Sequence, residues 1–264
     1  MKHGKSLCVP VMVFVVLILG LYCNPAPAAD PGIYLKVENF TWEEYDDSGS
    51  RLLKESGPIY AVGVSVGPDT AAPLVLDGRA ELFGGTVGYD GQTQSGTAVE
   101  TDTNYAGLKA EADLGWRAVV SERFRIEPFA GAGYRWWQRD IQDSDVAIGY
   151  QETWWSLYTR FGIRGEYIGT GLLTAFAEAG VKIPLITENE VDLSVIGIST
   201  VTVEPGNAPS GFAETGLAWS RFRASLFYEG MRFTKSDPVT VSGVQVWQPE
   251  SKADIFGIMF GMDL

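Results

Sequence analysis

Charged residues recur at every second position in several stretches of this sequence. In 107–119, Lys109, Glu111 and Asp113 alternate with Ala110, Ala112 and Leu114, ahead of Trp116. A period of two puts the three charges on one face of a β-strand and the apolar residues on the other. The same spacing carries Arg79 with Glu81, Arg125 with Glu127, Arg160 with Arg164, and Glu178 with Lys182. Side chains of both signs on one face can do two things. They can neutralise one another as a packed polar filling, or they can line a narrow passage for ions. Mixed signs, rather than rings of one sign, favour the filling.

The residues needed for nucleophilic or metal chemistry are scarce. The one histidine is His3, and the two cysteines are Cys8 and Cys23. All three lie in an N-terminal leader. Met1 to Lys5 is basic, 7–22 is an apolar run, and Ala26-Pro27-Ala28 fits a small-x-small cleavage rule. Residues 1–28 therefore read as a secretory signal peptide and 29–264 as one large β-domain. The processed chain would carry no Ser-His or Asp-His pair, no thiolate, no Cys or His metal ligand and no disulfide. No spacing suggests a Ser-Lys or two-carboxylate mechanism, so neither an enzyme nor a cofactor is expected.

Lys2 and Lys5 leave with the leader, so 18 basic residues face 33 acidic ones. Such a chain repels nucleic acid. Two acidic stretches, Asp46-Asp47-Ser48-Gly49 and Asp140-x-x-Asp143-x-Asp145, offer oxygen ligands for Ca²⁺ but lack the full calcium-loop spacing; solvated loop charge is the expectation. Trp136-Trp137 and Trp154-Trp155 flank one loop, where they could stack on a sugar or lipid headgroup, or form part of an interfacial belt. Gly84-Gly85 reads as a bulge or bend within a strand.

Ten strands are predicted to position these residues: 32–44, 58–67, 74–91, 103–119, 123–139, 150–167, 172–187, 211–219, 222–234 and 252–264. On one parity of these strands lie Lys36 and Glu38, then Asp77, Arg79 and Glu81, then Arg125, Glu127 and Arg135. Short turns at 68–73, 120–122, 168–171 and 220–221 alternate with longer polar loops at 45–57, 92–102, 140–149, 188–210 and 235–251. This is an even-stranded, antiparallel up-and-down sheet with both ends on the short-turn side. Eight strands is the nearest alternative.

Alternation alone does not say which face meets water. Mid-strand charges and aromatic residues at the strand ends favour a transmembrane barrel with a polar lumen. Trp116, Tyr167 and Trp219 sit beside short turns, and Trp136, Trp137, Trp154 and Trp155 toward long loops, as two interfacial girdles. The final strand carries Phe256-x-Ile258-x-Phe260-x-Met262-x-Leu264. That run resembles the C-terminal signature of Gram-negative outer-membrane β-barrels, which usually ends in Phe or Trp where this chain has Leu264. Ten strands with five long loops is also similar to the layout of omptin proteases and ten-stranded adhesins. The omptin resemblance implies a catalytic Asp-His pair, and no position can supply its histidine.

The lumen network is then Arg79, Glu81, Lys109, Glu111, Asp113, Arg125, Glu127, Arg160, Arg164, Glu178 and Lys182. The expected function is a non-enzymatic outer-membrane barrel for envelope integrity or surface contact. The alternatives are a narrow porin-like channel for small solutes and a soluble periplasmic barrel that binds a ligand. The resemblance implies outer-membrane lipid, lipopolysaccharide and the barrel insertion machinery as partners.

Overall fold

The computed structural model describes residues 30–67, 73–93, 95–171 and 173–264. The predicted leader and most of the turn at 68–73 lie outside them. The barrel strands are β1 (Asp30–Tyr45), β2 (Arg51–Gly67), β3 (Leu74–Gln92), β4 (Ala98–Trp116), β5 (Phe124–Ile141), β6 (Tyr150–Ile168), β7 (Leu173–Asp192), β8 (Ser210–Trp219), β9 (Phe222–Thr234) and β10 (Glu250–Asp263). Each pairs antiparallel with its neighbour in sequence, and β1 pairs with β10 from Gly32↔Asp263 to Tyr45↔Glu250. The sheet is a closed ten-stranded β-barrel.

The outer wall is apolar over its lower part. Leu35 and Val37 on β1, Val62 and Val64 on β2, Leu76 and Leu82 on β3, Phe161 and Ile163 on β6, and Phe256 and Phe260 on β10 are all exposed. Their sequence neighbours Lys36, Glu38, Glu81 and Arg160 are buried within the ring. This inverts the water-soluble barrel, whose apolar face fills the core, and matches a barrel whose outer solvent is lipid. Trp116, Phe124, Tyr167, Trp219 and Phe222 mark the belt's lower edge. Tyr134, the in-register pair Trp136 and Trp155, and Tyr228 with Phe256 mark its upper edge. Phe124 to Trp136 spans about 40 Å of strand at ~3.3 Å per residue, or about 30 Å of height at a tilt of about 40°.

Above the belt the strands continue. β2 starts at Arg51 rather than 58, β4 at Ala98 rather than 103, and β7 runs to Asp192 rather than 187. These segments look like loops in the sequence because their outward residues are polar: Lys54, Ser56, Asp90, Glu100, Asp102, Glu188 and Glu190. They nonetheless pair, with Lys54↔Asp90 and Asp90↔Glu100 in register. Polar outer residues are what a strand needs once it leaves hydrocarbon for water. Ladder hydrogen bonding between neighbours decides the conformation there, not the polarity of the side chains.

Gly84 and Gly85 form no bulge. The β2–β3 pairing lapses between Ser56↔Gly88 and Tyr60↔Gly84 and resumes without a register shift. A Cβ on Gly85 would lie 2.7 Å from the Pro58 carbonyl, so glycine permits a close approach where proline gives no N–H to the ladder. On the lower side the β8–β9 turn is tight, with Ser220 at φ of 55°, and Ala118–Ser121 in the β4–β5 connection pairs with the start of β5. Of the long upper loops, the segment Val201–Val203 pairs with the top of β7, and Val239–Val241 pairs with Val244–Val246 as a small separate hairpin.

Candidate functional site

The inward residues stack in tiers. In the lowest, Arg79, Arg160 and Arg164 are the hubs among six carboxylates, and Arg117 adds a further pair with Glu127 at 3.0 Å. Arg164, from β6, reaches Asp77 at 2.6 Å, Glu127 at 2.7 Å and Glu178 at 2.8 Å. Arg160, two pleat repeats higher on the same strand, meets Glu111, Asp113 and Glu178. Arg79 comes across from β3 to Glu111 at 2.9 Å, Glu178 at 3.2 Å and Glu214 at 3.3 Å. Glu178 thus binds all three guanidinium groups. Arginine suits this place because its planar fork offers several fixed donors to separate carboxylates.

The middle tier uses ammonium groups. Lys109 bridges Glu81 at 3.1 Å and Glu229 at 2.7 Å. Lys36 pairs with Glu81, and Lys182 and Arg135 both pair with Glu229. Tyr34 donates to Glu81 and Tyr158 to Glu111, filling further lone pairs. Two voids in these tiers have about 30 and 20 Å³, each room for about one water.

An apolar septum follows. Phe40, Trp42, Tyr105, Trp137, Trp154, Phe233 and Ile255 form one buried cluster inside the ring. Trp137 and Trp154 were expected in the outer girdle with Trp136 and Trp155. That assignment fails for the inner pair, which is 2% and 0% exposed. Adjacent residues of a strand face opposite sides, so only one member of each Trp-Trp dipeptide can meet lipid.

Above the septum, inside the ring, Arg139 holds three carboxylates. Arg139 lies 3.0 Å from Glu44, 2.9 Å from Glu55 and 2.9 Å from Glu152, and all four residues are buried. Trp42 and Trp154 donate their indole N–H groups to Glu44 and Glu152, and Thr103 and Tyr105 donate to Glu55. The cage is thereby tied to the septum beneath it.

Ten of the eleven expected lumen residues fall in the two lower tiers. Arg125 does not: it stands near the lower rim, 3.9 Å from Glu166 and partly exposed. The sequence reading left Glu44, Glu55, Arg139, Glu152, Glu214 and Glu229 out of the network. Their signal was strand parity, since Arg139 lies on the same face as Arg135. The upper ones lie in segments whose polar composition reads as loop or strand end.

Among the described residues, no group of three or more His, Cys, Asp or Glu side chains is placed to hold a metal ion. The acidic loop residues organise turns. Asp46 accepts hydrogen bonds from the Ser48 hydroxyl and from the N–H groups of Ser48 and Ser50. The Ser48 hydroxyl, then the backbone donors, hold the Asp46 carboxyl below its ordinary range. Asp143 accepts from the Gly149 N–H, and Asp140 from Gln142.

No protein-family model and no curated protein sequence matches the chain. Solved structures do. The outer membrane protease OmpT from Escherichia coli aligns with a TM-score of 0.59 at 10% identity, over 90% of this chain and 98% of that one. The transport unit of the autotransporter AIDA-I from Escherichia coli aligns with a TM-score of 0.50 at 9% identity, over 88% and 90%. At such identities the likeness is one of fold. The fold is that seen in outer-membrane β-barrels, here with ten strands and a filled lumen.

Proposed function

We propose that the chain is an integral outer-membrane barrel, closed to ions and small solutes, that serves envelope integrity or surface contact through its upper rim and loops. One observation carries this reading: an apolar septum lies between ion-paired tiers, so a permeating ion would have to part the pairs and then cross a layer of indole and phenyl rings. A dehydrated ion in such a layer has nothing to replace its hydration shell. The same filling argues against the narrow-channel alternative, and the exposed apolar belt argues against a soluble barrel. Covalent catalysis would need a nucleophile with a base beside it; the buried tiers pair carboxylates with cations and tyrosines instead. On this reading the precursor loses its leader, is taken up by the barrel insertion machinery, and ends surrounded by phospholipid below and lipopolysaccharide above.

The test is single-channel recording of the refolded processed chain in a planar bilayer, with insertion checked by heat-dependent gel mobility. A barrel that inserts and carries no current is the expected result. Steady conductance steps would overturn closure and make Arg79, Arg160 and Glu111 selectivity candidates. A folded product that stays out of the bilayer would overturn the membrane reading itself.

A further inference from the structure

The outer wall has an open recess within the apolar belt, lined by residues from β5 round to β10, with a volume of about 940 Å³. It arises from a local pairing of small residues. Ala177 on β7 lies opposite Thr215 on β8, and Ala179 opposite Ala213. The flanking strands carry bulky side chains at the same level, with Ile163 opposite Ala179 on one side and Leu226 opposite Thr215 on the other. The floor is therefore lower than its walls. Its volume is near the upper end of the roughly 300–1,000 Å³ typical of small-molecule sites. An unfilled recess would forfeit dispersion contacts along its whole lining.

The lower end of the recess is charged. Arg123 directly precedes Phe124, which lines the recess, and its carbonyl accepts from the Ile168 N–H at the foot of β6. Arg221 lies in the turn between β8 and β9, and its carbonyl accepts from the Asp263 N–H. Both side chains are exposed at the rim that holds the short turns. Two exposed cations thus stand on the short-turn rim, Arg123 one residue before the recess-lining Phe124 and Arg221 in the β8–β9 turn, on the side where the inner leaflet would carry its phosphates.

We propose that this recess holds an acyl chain of an anionic inner-leaflet phospholipid, with Arg123 and Arg221 meeting its headgroup phosphate. The inference rests on the membrane-spanning reading above. The apolar groove supplies burial for the chain, and the arginines select the headgroup charge.

Barrels would be inserted into vesicles of equal parts phosphatidylglycerol and phosphatidylcholine, extracted in mild detergent and weighed by native mass spectrometry. Heat-dependent mobility reports insertion separately, so a barrel that never inserts is told apart from one that inserts without binding. The wild type is expected to retain phosphatidylglycerol in preference to phosphatidylcholine. Ala177→Phe, which fills the floor with an apolar ring, is expected to lower retention about tenfold. Thr215→Leu gives the same test should the first variant fold poorly. Arg123→Gln with Arg221→Gln is expected to abolish the headgroup preference. Equal retention by inserted wild type and groove-filled barrels would overturn the proposal. So would lipid-free barrels that associate in pairs and are separated by Ala177→Phe, since the occupant would then be a second copy of the chain.

Discussion

The indole of Trp137 stacks on that of Trp154, with ring centroids 5.4 Å apart and planes 13° from parallel. Both point into the barrel, while their neighbours Trp136 and Trp155 pair on its outside. In single-tryptophan variants inserted in vesicles of brominated lipid, Trp136 and Trp155 are expected to be strongly quenched. Trp137 and Trp154 are expected to keep nearly full emission. Equal quenching of all four would mean that the strand faces are assigned the wrong way round.

Removing one ring from the septum opens a cavity that its neighbours fill only in part. Trp42→Ala and Trp154→Ala are each expected to cost about 3–5 kcal/mol, read from urea unfolding in lipid vesicles. Neither is expected to make the barrel conduct, because the ion-paired tiers below remain. A conducting Trp42→Ala barrel would show that the septum is the sole seal.

Arg139 is the one cation facing Glu44, Glu55 and Glu152 in the upper cage. Arg139→Met removes that charge and leaves three buried carboxylates together. A loss of about 3–5 kcal/mol is expected, of the order seen when a buried pair is broken from one side. Combining Arg139→Met with Gln at all three glutamate positions should recover a good part of it. If the single substitution leaves the urea midpoint unmoved, the cage contributes no stability.

Arg160 and Glu111 share the lower tier with Arg79, Asp113 and Glu178. Arg160→Ala and Glu111→Ala are each expected to lower thermal stability. Their double-mutant cycle should give a coupling of about 0.5–3 kcal/mol, since the two groups share partners. Strict additivity would remove the case for direct pairing.

Asp46 lies in the exposed loop between β1 and β2. The Ser48 hydroxyl and the backbone donors place its folded pKa below the ordinary 3.8. A depressed carboxylate stabilises the turn above its unfolded pKa, and that contribution is lost as pH falls through the folded value. A carbon-detected titration of Asp46 should therefore show a midpoint below 3.8. In Asp46→Asn, loop proteolysis should lose its dependence on acid pH. A midpoint at or above the ordinary value would contradict the turn's hydrogen bonding.

The charged parity of 107–119 was legible because mid-strand Lys, Glu and Asp have low strand propensity and need a special reason to be there. A filled lumen supplies it. Strand number was legible from the hairpin rhythm, and so was the short turn at 220–221. Three things were not. The continuation of β2, β4 and β7 above the belt was hidden because Lys54, Glu100 and Glu190 look the same in a loop as on a strand whose outer face is wet. The septum was hidden because Trp137 and Trp154 sit beside true belt residues, and composition cannot separate two indoles that are one position apart. The recess between β7 and β8 was invisible for a related reason: a run of alternating alanines acquires depth only when its neighbours on both sides are known.

The seam of the ring joins the two ends of the described chain, with β1 hydrogen-bonded to β10 along 14 residue pairs. Until β10 arrives, the tiers have an open side. Lys36 sits on the first strand and Glu229 on the ninth, and neither can leave water at a tolerable cost while the wall between them is missing. Desolvation of the interior is thus the last event of assembly and is shared by every strand at once. A chain that loses its final strand would lose not a tenth of its stability but the condition under which its buried charges can exist at all.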